Sequence, residues 1–562
     1  MLWLRNLWFV VLVVGGVGVL GWNLLPPRDN RAAPMYEVGV EREPRFRSEV
    51  IAVDRTFEKA WKAESIAPAD PAPDLLVARR LSLALTGTVP SLEEIRQFES
   101  LPPDQRLDWW IDHLLHDRRH ADYFAERLAR SYVGTEDGPF ILYRRRRFVQ
   151  WLADEIAKNV PYDVLVRELI TAEGLWTDRP ATNFVSVTAQ TAENAKNQPD
   201  PVRLAGRVTR SFLGLRLDCA QCHNHPFAPW KQDDFQGFSA FFGQTAIGFT
   251  GIQDGAGEYE IEDRKTQLKR VVSPRVPFNP ELVPEGGTRR SQLAAWVTHP
   301  ENPYFATATV NRIWVLLFGR PLVDPVDGLE PEDPKFAALK LGLPALLGSV
   351  VRVESESLSL RVLKLLADDF TEHNFDLRRL IRQIAATRVF RLDSMSPRTL
   401  SENADATWAI FPLTRLRPEQ VAGSVLQAAS IATVDAEAHM LIRLIRMGEQ
   451  NNFVTRYGDT GEDAFDGRGG TIPQRLLLMN GELVREKIKA SPLNATTRIA
   501  WIARADATVV EVAYLAAMTR RPTAAEKAHF EEFLKEPELQ RSQKVEDLFW
   551  SLINATEFSW NH

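Results

Sequence analysis

Two cysteines and two histidines stand within seven consecutive residues near the middle of the chain. The segment reads Cys219-Ala-Gln-Cys222-His223-Asn-His225 and contains the only cysteines among the 562 residues. Cysteines three positions apart lie on one side of a helical turn, at about the separation of the two vinyl groups of a haem. Thioether bonds to both sulfur atoms hold a c-type haem, and the following histidine binds its iron. The sequence therefore predicts haem c on Cys219 and Cys222, with His223 as the proximal ligand.

The same residue types allow two other interpretations. Cys219, Cys222, His223 and His225 together offer the thiolate and imidazole ligands that zinc or another transition metal prefers. The compact spacing strains such a site, because His223 directly follows a ligand cysteine. A redox disulfide is the third interpretation, but it gives His223 no role and lacks the expected βαβ setting. Haem is favoured, and the other two stay open.

A low-spin haem needs a sixth ligand, which the sequence does not assign. His225 is too close to the motif to reach around to the opposite face of the haem. Without a sixth ligand the iron would be open to small molecules or peroxide. The remaining candidates are the other histidines and three methionines: His113, His116, His120, His299, His373, His439, His529, His562, Met440, Met447 and Met479.

The N-terminus carries an apolar segment from Leu7 to Leu25 without a charged residue. At about 1.5 Å per residue this helix would nearly cross a hydrocarbon core of about 30 Å. It is longer than a usual signal core, and no A-x-A site follows closely, so a retained anchor is favoured over a cleaved signal sequence. Positive charges on both sides leave the orientation open. Bacterial haem c is attached outside the cytoplasmic membrane, so the motif predicts a single-pass anchor with the bulk of the chain in the periplasm.

Hydrophobic periodicity predicts a mainly α fold, with two helical domains behind the membrane span. A Gly- and Thr-rich stretch with alternating residues predicts a small β insertion near 245–270. The boundaries are 1–27 for the membrane anchor or signal sequence, 28–73 for a tether, 74–243 for the domain with CxxCH, 244–287 for the β insertion and linker, and 288–562 for the second helical domain.

The segments around the motif are expected to position it. An amphipathic helix over Val202–Leu217 leads directly into Cys219, with its buried face marked by Leu204, Val208, Phe212 and Leu215. Asp233 is expected to cap a helix over Asp234–Phe242. Between them lies a rigid apolar loop, which either walls a haem or packs the turn: Pro226, Phe227, Pro229 and Trp230.

Composition excludes several functional classes. The formal net charge is -6, from 74 acidic and 68 basic residues, so nothing indicates a nucleic-acid partner. Two cysteines in a chain of this length are too few for a disulfide scaffold. The sequence contains no glycine-rich phosphate loop, no nucleophile elbow and no recognisable pair of glycosidase carboxylates.

Several segments resemble a known pair of domains. Leu217–Phe242, which reads LDCAQCHNHPFAPWKQDDFQGFSAFF, is similar to the signature of the planctomycete cytochrome-like domain, domain of unknown function 1549. Ala78–Glu94 and Phe148–Glu168 resemble other parts of it. The second half resembles its usual partner, domain of unknown function 1553, in four places: Arg289–Pro334, Phe370–Arg391, residues 476–484 and the terminal LINATEFSWNH.

The resemblance implies an envelope location, an association with cytochromes and a sulfatase-like partner protein in the breakdown of complex polysaccharides. Asn224 replaces an aspartate that is common in this family, and the terminal His562 matches the family's ending. Three functions follow as hypotheses. The first is a haem c redox protein with an envelope redox partner, the second is a non-haem metalloprotein, and the third is an envelope scaffold without redox activity.

Overall fold

The structure is a computed structural model, and the prediction of a mainly α fold is confirmed. It describes residues 8, 9, 11, 13, 15 and 44–562, apart from 136–142, 192–197, 226, 263–267, 330–356, 397–402, 431–432, 434–451, 458–471, 490–493 and 538.

Ten α-helices are described before residue 288. They are α1 Pro44–Ala63, α2 Asp74–Thr86, α3 Leu92–Ser100, α4 Pro103–His116, α5 Arg118–Val133, α6 Arg145–Ala157, α7 Tyr162–Thr171, α8 Asn183–Ser186, α9 Pro201–Val208 and α10 Gln232–Ser239.

The described helices after residue 288 complete the fold. They are α11 Arg289–Val297, α12 Phe305–Phe318, α13 Leu358–Glu372, α14 Leu377–Ala386, α15 Arg388–Arg391, α16 Pro418–Ala428, α17 Ile472–Asn480, α18 Glu482–Ile488, α19 Ala495–Ile502, α20 Asp506–Met518, α21 Ala524–Lys535 and α22 Arg541–Ile553.

Strands form three small antiparallel pairs in the described part of the chain. β1 Thr245–Gly248 pairs with β2 Gly251–Asp254, and β3 Glu260–Glu262 pairs with β4 Lys269–Val271, so the predicted β insertion is confirmed. A third pair joins distant segments, because β5 Thr414–Arg415 bonds to β6 Trp560–Asn561 next to the C-terminus.

The tether predicted over residues 28–73 is wrong for its second half. Pro44–Ala63 is the helix α1, which packs against α13 and α14. Phe57 and Trp61 are buried on its inner face, and the Trp61 indole donates a hydrogen bond of 2.9 Å to the Thr407 carbonyl. The absence of a long apolar period predicted a tether, but the apolar residues of α1 repeat at helical spacing and cover a core.

The two clusters of buried apolar side chains do not follow the domain boundary predicted at 288. One cluster extends from Val53 to Phe411, so it includes the predicted first domain and part of the second. The other covers residues 416–558 and also takes in Leu83 and Val89 from the first domain. The physical reason is that α2 contributes to both clusters, while α11 packs onto α7. The helical domains therefore share their cores.

Two buried arginines on α2 fasten these clusters together. Arg79 donates hydrogen bonds to the carbonyls of Ala517 and Phe558. Arg80 donates to the carbonyls of Phe390, Leu392 and His562, and its guanidinium lies 3.6 Å from the centre of the Phe411 ring. Because each partner is a backbone carbonyl rather than a carboxylate, these arginines fix the positions of the backbone segments to which they donate.

The predicted membrane anchor falls mostly outside the described residues. Trp8, Phe9, Val11, Val13 and Gly15 are described, and they are helical. Among the helices that the structure describes, none combines the length and the apolar character needed to cross a membrane. The anchor over Leu7–Leu25 therefore stays a prediction.

Candidate functional site at the CxxCH segment

The helix before the motif changes from α-helical to π-helical hydrogen bonding. α9 begins at Pro201 after Asp200, whose carboxylate accepts a hydrogen bond of 2.9 Å from the Val202 N–H. Thr209–Leu213 continues it as a π-helical turn, and Gly214, with φ 63°, ends it. The helix predicted to reach Leu217 is thus shorter, because glycine adopts the left-handed conformation here. A π turn inside a helix is frequent beside functional sites.

The motif itself occupies an exposed turn on an apolar base. A 3-10 helix spans Leu217–Ala220, with the side chains of Leu217 and Ala220 fully buried beneath it. Cys219, Cys222 and His223 are all exposed on the outer side. The two cysteines form no disulfide with each other in the structure. The fold therefore presents all three predicted haem-binding residues at the surface.

The hydrogen bond of His223 determines which of its ring nitrogens can bind a metal. The Nδ1 atom lies 2.7 Å from the Asn224 carbonyl oxygen. A carbonyl can only accept, so Nδ1 carries the proton and donates it. The lone pair is then on Nε2. Metal-bound histidines usually donate their other ring N–H in this way, so His223 has the tautomer that a metal ligand requires.

His225 has the opposite arrangement. Its Nδ1 atom accepts hydrogen bonds from the backbone N–H groups of Phe227 at 3.1 Å and Ala228 at 2.8 Å. A neutral ring then carries its proton on Nε2, so neither nitrogen offers a lone pair to a metal. Burial lowers the pKa of His225, and His223 lowers it further, while Asp218 acts in the opposite direction. His225 is thus a turn-forming residue, and its predicted metal role does not fit this geometry.

The loop after the motif is closed onto the start of α10. The Asn224 side chain accepts a hydrogen bond of 3.1 Å from the Gln232 N–H, and the Gln232 amide donates one of 3.1 Å to the Gln221 carbonyl. Asp234, rather than the predicted Asp233, caps this helix by accepting from the Lys231 N–H at 2.8 Å. Asn224 therefore orders the loop.

Two aromatic residues follow the motif with different environments. Phe227 is 66% exposed, so it does not pack the turn. Trp230 is buried beside Phe278, and its indole N–H has no hydrogen-bond partner among the described residues. A buried indole N–H normally finds a partner. The neighbourhood therefore has an apolar surface and a donor that the described chain does not use, while Pro226 lies outside the described residues.

A network of four charged residues borders the motif. Arg210 donates to both carboxylate oxygens of Asp218 at 3.0 Å and to Asp327 at 3.3 Å. Arg216 donates to one oxygen of Asp327 at 2.7 and 2.9 Å. Two cations and two anions balance, so the network holds a fixed geometry without adding net charge. Local sequence signals did not indicate Asp327, because it lies more than a hundred residues further along the chain.

The four residues of the predicted zinc site are not gathered around one point. In the described part of the chain, two groups of three ligand atoms converge within 4.8 Å, namely Glu49 with Asp369 and His373, and Glu94 with His113 and Asp117. Neither contains a cysteine. Both are ion-pair clusters, because Arg379 bonds to Glu49 and Asp369, while Arg119 bonds to Glu94 and Asp117.

His562, the remote histidine that the resemblance favours, has both ring nitrogens engaged. Nδ1 lies 3.2 Å from the Trp560 carbonyl, and Nε2 lies 3.4 Å from a carboxylate oxygen of Glu557. These contacts fasten the C-terminal strand and leave no nitrogen for iron. Of the other predicted sixth ligands, His439, Met440 and Met447 lie outside the described residues.

Comparison with known protein families finds two family models that match consecutive parts of the chain. Residues 52–246 match the model described as PSCyt2, protein of unknown function (DUF1549), which begins within α1. Residues 289–339 and 354–452 match the model described as PSD1, protein of unknown function (DUF1553). No curated protein and no solved structure matches the chain. The chain belongs to the family in which a PSCyt2 (DUF1549) region is followed by a PSD1 (DUF1553) region.

Proposed function

We propose that this protein carries a covalent c-type haem on Cys219 and Cys222, with His223 as the proximal ligand, and acts as a redox protein. The observation that carries the proposal is the hydrogen bond from His223 Nδ1 to the Asn224 carbonyl. It fixes the imidazole with its Nε2 lone pair available, beside two exposed cysteines that form no disulfide. Haem would supply one-electron chemistry at its iron.

Several residues around the motif would contribute to a haem site. Cys219 and Cys222 would hold the group, and the exposed ring of Phe227 would cover part of its apolar surface. Arg210 and Asp218 would set the charge next to the iron, which adjusts its reduction potential.

The proposed location is the outer face of the cytoplasmic membrane, with the N-terminal segment as a single-pass anchor. Haem c attachment requires that compartment in bacteria, and the apolar run over Leu7–Leu25 would supply the anchor. The family resemblance extends the proposal to an envelope redox partner or a sulfatase-like partner in polysaccharide breakdown.

A zinc site formed by the same segment has less support. It needs a lone pair from His225, but Nδ1 of that ring accepts two backbone hydrogen bonds. No three of its four ligand atoms converge within 4.8 Å in the described residues. Binding zinc would therefore require the turn after His225 to be rebuilt.

Paired histidine variants test the proposal on full-length protein produced together with the c-type maturation machinery. His223→Ala removes the proximal ligand and is expected to change the haem spectrum or abolish stable attachment. His225→Ala is the matched control, since it removes a neighbouring imidazole that has no free lone pair. This variant should keep the haem absorption spectrum of the wild type. Equal loss in both variants, or no haem in the wild type, would contradict the proposal.

A further inference from the structure

The charged network beside the motif crosses from one family region to the other. Arg210, Arg216 and Asp218 belong to the region 52–246, whereas Asp327 belongs to 289–339. The Asp327 side chain is about 10% exposed, while those of Arg210 and Arg216 are 43% and 40% exposed. A buried carboxylate thus holds two guanidinium groups at the surface. Removing a buried partner from such pairs has a larger effect than removing an exposed one.

The network reaches the cysteine through the backbone of Arg216. Its side chain bonds to Asp327, and its carbonyl oxygen accepts a hydrogen bond of 3.0 Å from the Cys219 N–H. Arg210 is linked to the same cysteine through its ion pair with Asp218, which directly precedes Cys219. The position of Asp327 therefore influences both the conformation and the charge at the first cysteine.

A buried asparagine fixes the loop that carries Asp327. Asn311 on α12 is fully buried, and its side-chain oxygen accepts hydrogen bonds from the Leu322 and Val323 N–H groups at 3.0 and 3.1 Å. Beyond Asp327, the Leu329 N–H donates a 2.9 Å hydrogen bond to the Gly214 carbonyl. The loop is thus held at both ends, by α12 and by the residue that terminates the helix before the motif.

We propose that Asp327 is a positioning residue of the CxxCH site, so that the site is built jointly by the two family regions. It holds Arg216 and Arg210 beside Cys219 and balances their charge. This inference rests on the proposed function only for the identity of the bound group. The residues on which it depends are present in the chain without haem.

Cysteine reactivity in the haem-free, full-length protein tests the inference. Both thiols are exposed, so alkylation by iodoacetamide depends on the thiolate fraction rather than on access. Asp327→Asn removes a negative charge and should accelerate alkylation of Cys219, followed by peptide mass spectrometry, about two- to fivefold. Arg210→Gln removes a positive charge and should slow it by a similar factor. Arg210 is partly exposed, so this second variant keeps the test available if Asp327→Asn does not fold.

Asp112→Asn is the matched control, because Asp112 forms a buried ion pair with Arg382, and the two residues lie on α4 and α14 rather than on the segment that carries the motif. Its alkylation rate should equal that of the wild type. The inference is overturned if Asp327→Asn and Arg210→Gln both alkylate at the wild-type rate, or if both change the rate in the same direction. In haem-loaded protein, Asp327→Asn should also raise the midpoint potential. A wild type that takes up no haem would refute the proposed function. The alkylation rates, which are measured on haem-free protein, would still test the positioning role of Asp327.

Discussion

Replacing Gly214 by alanine should destabilise the segment that delivers the chain to the motif. The residue has φ +63°, and a Cβ atom built there would lie 2.9 Å from the Leu329 Cδ1 atom and 3.2 Å from the Ala308 Cβ atom. A left-handed conformation costs a non-glycine residue about 1–2 kcal/mol. Overpacking destabilises the folded state by roughly a further 1–3 kcal/mol. The lower entropy of the unfolded alanine variant offsets about 0.4–1 kcal/mol of this loss. We therefore expect a loss of about 1–4 kcal/mol.

Gly286→Ala isolates the steric part of this effect. Gly286 has φ +86°, but a Cβ atom there meets nothing within 4 Å. The backbone cost is then the same as at Gly214, and the two variants should differ by about 1–3 kcal/mol. Urea unfolding followed by far-ultraviolet circular dichroism and tryptophan fluorescence measures both. Equal stability of the two variants would refute the packing of residues 327–329 against the helix end.

Three further predictions concern charged groups away from the motif. Burial raises the pKa of Asp54 from 3.8 to about 6, so its contribution to stability is complete below pH 3.8 and is lost as the pH rises through about 6. Asp54→Asn should flatten the pH dependence of the urea midpoint between about pH 4 and 6, and an unchanged pH profile would count against the raised pKa. Burial raises the pKa of Glu557, but hydrogen bonds and charge from Arg520 outweigh this and lower it from 4.5 to about 2. Its stabilisation is complete above pH 4.5 and is lost as the pH falls through about 2, so Arg520→Met should lose less stability than the wild type between pH 5 and 3. Arg80→Met leaves three carbonyl acceptors without their donor and should cost about 3–6 kcal/mol in urea unfolding, whereas a loss below 1 kcal/mol would contradict its bridging role.

Much of the local structure could be predicted from sequence. The helices follow the hydrophobic periodicity, and both β hairpins lie where alternation and glycine indicated. The helix α1 was missed because its apolar residues are interrupted by charged ones and form no long apolar run. The signal was nevertheless available, since its buried residues follow one another at steps of three and four: Phe46, Val50, Val53, Phe57 and Trp61.

The candidate site could be predicted only in part. Rare residues at a fixed spacing identify Cys219, Cys222 and His223, because that pattern is local. The different roles of His223 and His225 depend on which backbone groups each ring meets in the folded turn, and no residue pattern encodes that. Asp327 could not be found either, since it reaches the motif through tertiary packing.

Absorption spectroscopy on the denatured protein tests most directly whether Cys219 and Cys222 carry haem. The full-length chain is produced with the c-type maturation machinery, unfolded, and extracted with acid–acetone. Thioether bonds should keep the Soret band with the polypeptide, and the double variant Cys219→Ala/Cys222→Ala should lose it. A wild-type protein that is colourless, or whose haem is extracted completely, would contradict the proposal.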